Sequence, residues 1–66
     1  MITAKMMCPV CDEWGIDLRA EEPLPDEGLF GFKVSRCIGG CRYRREDAQP
    51  MQEALRQAAR KRREIP

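Results

Sequence analysis

Apolar and polar residues alternate along Trp14-Gly15-Ile16-Asp17-Leu18-Arg19. Trp14, Ile16 and Leu18 fall on one side, and this period of two predicts a half-buried strand. The alternation returns over Leu29 to Arg36, with Phe30, Phe32 and Val34 on one side and Gly31, Lys33 and Ser35 on the other, which predicts a second strand. Between them, residues 20–28 hold two prolines, a glycine and four acids (Glu21, Glu22, Asp26, Glu27), so they predict a loop. Arg42-Tyr43-Arg44 is a candidate short third strand. The period then changes to that of a helix. Met51, Ala54, Leu55, Ala58 and Ala59 recur at i, i+3, i+4, i+7 and i+8, one apolar stripe, with Arg56, Arg60 and Arg63 on the opposite side. Pro50 suits the first helical position and biases Gln49 away from helical geometry, which places the start there. The predicted core of the strand region is Trp14, Ile16, Leu18, Phe30, Phe32 and Val34.

Each predicted strand is joined to a pair of cysteines. Cys8-Pro9-Val10-Cys11 precedes the first and Cys37-Ile38-Gly39-Gly40-Cys41 follows the second, with 25 residues between the pairs. Each tight turn can offer two sulfurs, and the intervening hairpin lets the turns face one another across one ion. Cys8, Cys11, Cys37 and Cys41 are therefore read as the ligands of one structural Zn²⁺. Four sulfurs complete a tetrahedron and leave no position for water or substrate. The rivals are two disulfides and a rubredoxin-like iron centre, since four thiolates serve either metal. Rubredoxin knuckles usually space both pairs by two residues and follow them with glycine. Here the second pair is spaced by three and Asp12 follows the first.

At 66 residues, the chain buries too little surface to offset its conformational entropy comfortably, so a staple is expected. Zinc bound by small finger peptides supplies roughly 10–16 kcal/mol, which makes folding metal-dependent. The opening Met-Ile-Thr-Ala-Lys has no apolar leader segment, which points to the cytoplasm, where structural disulfides are disfavoured. No stretch approaches the ~20 apolar residues of a membrane span.

The formal net charge of +1 conceals a polarity. Residues 1–31 carry Lys5 and Arg19 against seven acids, whereas residues 32–66 carry ten basic residues against four acidic ones. Four thiolates around a divalent ion add two negative charges. The basic residues form two groups, Arg42, Arg44 and Arg45 after the metal site and Arg56, Arg60, Lys61, Arg62 and Arg63 on the helix. Guanidinium groups suit bidentate contact with phosphate, and Tyr43 is placed for base stacking if exposed. The same charges also fit a solvated helix end favoured by the helix dipole, and the acidic loop can neutralise the basic tail. The apolar helix stripe must be covered too. Docking on the strand region is the default, and Met51 and Leu55 are otherwise the candidate interface for a dimer or partner. The chain has no histidine, so the commonest general base is absent and no Cys-His or Ser-His nucleophile pair can form. The chain is not expected to be an enzyme or to take a small-molecule substrate.

The order knuckle, strand, loop, strand, knuckle over residues 6–45 resembles the zinc-ribbon superfamily. That resemblance implies a small metal-stapled α+β fold, a two- to three-stranded antiparallel hairpin sheet over residues 1–46 followed by a C-terminal amphipathic helix over 47–66, in a single domain. Cys8, Cys11, Cys37 and Cys41 with the closing Arg62-Arg63-Glu64-Ile65-Pro66 look like the small bacterial gyrase-inhibitor zinc proteins, although the shorter insert and tail tryptophan of that family are missing. Phage zinc-ribbon regulators of late transcription are also similar, with a wider second pair.

The expectation is a small structural-zinc module that regulates a protein of the transcription or replication machinery. Its alternative is direct nucleic-acid binding through Arg42, Tyr43, Arg44, Arg45, Arg56, Arg60 and Arg63.

Overall fold

The fold was taken from a computed structural model of the chain, which describes residues 1–24, 28, 31–35 and 37–64, with the backbone alone for 63 and 64. Three strands form one antiparallel sheet in the order β1 (Ile2–Met7), β2 (Gly15–Ala20), β3 (Lys33–Val34). Helix α1 (Ala48–Glu64) lies across β1 and β2. The third strand is thus β1, ahead of the first knuckle, and residues 42–44 form neither strand nor helix.

Strand pairing sorts the side chains. Ile2 pairs with Ala20, Ala4 with Leu18 and Met6 with Ile16, and this set faces the helix. The alternate set, Thr3 with Arg19 and Lys5 with Asp17, faces away and is exposed. A one-residue slip would exchange the two faces, so burial fixes the register. β3 pairs Val34 with Leu18 and Lys33 with Arg19. The next residue continues the contact, as the Ser35 N–H donates to the Asp17 carbonyl at 2.9 Å and the Asp17 N–H to Ser35 Oγ at 2.7 Å. Of the predicted second strand, Leu29, Phe30 and Arg36 lie outside the described residues. Phe32 is buried and Val34 half-buried.

Trp14 departs from the predicted core. It stands before β2 and remains 40% exposed. The tight turn of the first knuckle ends the sheet at Gly15, so Trp14 lies beyond the strand whose period suggested its burial.

The helix begins two residues before Pro50. A 3₁₀ turn over Arg45–Asp47 leads into it, and the Asp47 carboxylate accepts the Arg44 N–H at 2.9 Å. Pro50 is accommodated because the first-turn N–H groups have no acceptor within the helix. Ala48, Met51, Leu55 and Ala59 are buried against the sheet, with Ala54 and Ala58 packed beside them. Met51 and Leu55 are 0% and 1% exposed, so the side chains considered above as a docking surface belong to this protein's own core. At the far end, Arg62 Nη1 donates to the Met1 carbonyl at 2.8 Å and ties the helix to the start of β1. β1 therefore runs toward the cysteines and α1 runs away from them.

Candidate metal centre

The β1–β2 hairpin makes the first knuckle. The Cys8 N–H donates to the Trp14 carbonyl at 2.6 Å and closes the hairpin, while the Asp12 N–H donates to the Cys8 carbonyl at 2.9 Å. Asp12 takes φ 56°, a left-handed conformation that a short polar side chain tolerates better than most. The second knuckle repeats the device. The Gly40 N–H donates to the Cys37 carbonyl at 2.8 Å, and Gly40 sits at φ 71°, where glycine carries no Cβ penalty. The two turns meet closely. A methyl group built on Gly39 would lie 3.6 Å from both the Trp14 indole and Cys37 Sγ, ordinary contact distance.

The Sγ atoms of Cys8, Cys11, Cys37 and Cys41 all lie within 4.8 Å of one another. Cys11 and Cys37 Sγ are 3.5 Å apart, and all four cysteines are free. A tetrahedral ion with Zn–S bonds of about 2.3 Å has sulfurs ~3.8 Å apart, so the cluster has the size that one such ion requires. Cys8 and Cys37 are buried, and Cys11 and Cys41 half-buried. Among the described residues no other grouping of three or more His, Cys, Asp or Glu side chains is close enough to hold an ion.

Hydrogen bonds divide the sulfurs unequally. Cys8 Sγ lies 3.4 Å from the Tyr43 hydroxyl, and Cys37 Sγ accepts the Gly39 N–H at 3.3 Å. Burial opposes ionisation of Cys8, yet the Tyr43 hydroxyl and the backbone groups of Cys11 and Val10 outweigh it and bring the thiol down to about 6. Burial raises Cys37. Burial and the neighbouring thiols push Cys41 up to about 12. Burial and the contact with Cys8 likewise raise the Tyr43 phenol well above its ordinary value. Four crowded sulfurs cannot all hold negative charge by themselves, and a central cation is what lets them do so.

The predicted binding residues fall into separate places. Arg42, Arg44 and Arg45 are exposed between the second knuckle and the helix, while Arg56 and Arg60 are exposed on its later turns. At 1.5 Å per residue, Arg45 and Arg60 stand roughly 20 Å apart along the helix axis. Tyr43 is half-buried, with its hydroxyl 3.4 Å from Cys8 Sγ. The side chain of Arg63 lies outside the described residues. Of the acidic loop, Glu21 and Glu22 are exposed, and Asp26 and Glu27 lie outside the described residues.

Two surfaces went unread in the sequence. The outer sheet face carries Lys5, Arg19 and Lys33, with Lys5 Nζ 4.0 Å from Asp17, and the odd positions of β1 and β2 are its signal. The second is apolar. Met7, Val10, Trp14 and Ile38 are 40–78% exposed, and each sits in or beside a cysteine knuckle. Comparisons with known protein families, curated proteins and solved structures return no match. No helix among the described residues is long and apolar enough to cross a membrane.

Proposed function

We propose that this chain is a structural-zinc module that regulates a partner protein and catalyses nothing itself. The convergence of four free thiols within 4.8 Å carries this reading. Two disulfides would need each cysteine to meet one other, whereas one ion needs all of them to meet at a point. Zinc is favoured over iron because the second pair is spaced by three residues and Asp12 follows the first, unlike the usual rubredoxin knuckles. Four sulfurs fill its coordination, which suits a scaffold better than a catalyst. A reducing, cytoplasmic setting is consistent with free thiols.

The transcription or replication machinery is proposed as the target because of the ligand spacing alone, which is similar to that of small regulators acting there. Native mass spectrometry of the reduced protein tests the zinc assignment. One Zn²⁺ per chain is expected, bound iron would replace the regulator with an electron carrier, and loss of four thiol hydrogens without metal would mean disulfides.

Direct nucleic-acid binding is the second reading, favoured by the exposure of Arg42, Arg44 and Arg45 beside the rigid second knuckle. Its mark would be log affinity falling linearly with log salt, the slope shrinking by about one for each contacting arginine removed.

A further inference from the structure

Exposed hydrophobic side chains are concentrated at one end of this molecule. Among the described residues the large ones are Met1, Met7, Val10, Trp14 and Ile38, and all but Met1 stand at the metal end. Val10 and Met7 neighbour Cys11 and Cys8 in the chain, Ile38 neighbours Cys37, and Trp14 lies against Gly39. Because the four sulfurs lie within 4.8 Å of one another, these side chains ring one small centre. Ile38 is 78% exposed and Val10 50% exposed, each on a turn anchored by its own cysteines. An apolar patch of a few hundred Å² on a monomer is commonly functional.

We infer that this apolar cap docks on a protein surface offering an apolar pocket bordered by Lys or Arg side chains. Charge selects that occupant. Residues 6–18 and 37–41 contain no Lys or Arg, while Asp12 and Glu13 stand exposed on the first knuckle. A divalent ion held by four thiolates leaves two further negative charges at the centre. Arg36, Arg42, Arg44 and Arg45 flank the second knuckle in sequence, so the negative charge is concentrated on the first. A phosphate backbone is repelled by the first knuckle, and so is a second copy of it. A basic protein rim around an apolar pocket is attracted to it, and the buried apolar contact then supplies the affinity. The inference rests on the zinc-module reading, since without the ion the knuckles have nothing to hold them together.

Trp14 is the one tryptophan of the chain, so its emission reports on the cap directly. The zinc-loaded protein is titrated with a short amphipathic Leu/Lys peptide, with a Leu/Glu peptide of equal length and with an oligothymidylate. The expected result is a saturable blue shift with the Leu/Lys peptide, about tenfold weaker in Ile38→Ser and in Val10→Ser. Zinc content and circular dichroism should match the parent in both variants. The Leu/Glu peptide and the oligonucleotide should leave the emission unchanged. No shift with the Leu/Lys peptide, an equal shift with the Leu/Glu peptide, a shift with the oligonucleotide, or self-association abolished by Ile38→Ser would each overturn the inference. Absence of bound zinc at the outset would instead overturn the zinc-module reading, so the two failures are told apart.

Discussion

Tyr43 shows how one side chain can change role when its surroundings are known. In the sequence it stands between Arg42 and Arg44 and invites a nucleic-acid reading. In the fold its hydroxyl meets Cys8 Sγ at 3.4 Å. A metal-bound thiolate has no proton, so the phenol must be the donor. Such outer contacts commonly contribute 10–100-fold to metal affinity. Tyr43→Phe is therefore expected to weaken zinc binding by about that factor while leaving the helix content intact, as read by competition with a chromophoric chelator. The thiols also set a pH dependence. Cys37 and Cys41 are raised, Cys41 to about 12, so both carry protons near neutrality and must release them to metal. Affinity therefore falls as pH falls. A chelator competition series from about pH 8 to about pH 6 checks it, and an affinity that does not change over that range would contradict thiolate ligation.

Among the elements, the helix was legible because its stripe is long, and Met51, Leu55 and Ala59 do lie buried. Leu55→Ala should cost about 2–5 kcal/mol, seen as a fall in the denaturation midpoint of the zinc-loaded protein. Ile38→Ser should leave that midpoint unchanged, because Ile38 is 78% exposed. β1 was missed for a physical reason. Ala4 and Lys5 are weak strand formers, and only Ile2 is fully buried on its inner side, with Ala4 and Met6 half-buried. Its strand character comes from pairing with β2, a tertiary fact that no local window contains. Trp14 failed in the opposite direction. Its alternation with Ile16 and Leu18 is real, but the knuckle ends the sheet at Gly15. The four sulfurs were legible from spacing because the turn geometry is local, whereas the apolar cap depends on two distant knuckles meeting.

Taken together, the elements separate two ends of different character. β1 carries the chain toward the cysteines, α1 carries it back, and Arg62 returns to Met1. The first knuckle is apolar and acidic, with Asp12 and Glu13 exposed, while the far end of the helix is basic with Arg56, Arg60, Lys61 and Arg62 exposed. Any polyanion affinity should therefore reside in the arginines and leave the cap untouched. Arg56→Gln with Arg60→Gln is expected to lower the salt slope of oligonucleotide binding by about two without altering the Trp14 response to the Leu/Lys peptide. A core this small has little stability to spare without its ion. The decisive measurement is the amide proton spectrum of the fully reduced protein before and after chelation. The account predicts that chelation collapses the dispersed resonances of β1, β2 and α1 together and that one equivalent of Zn²⁺ restores them. A reduced, metal-free protein that keeps its dispersion would contradict it.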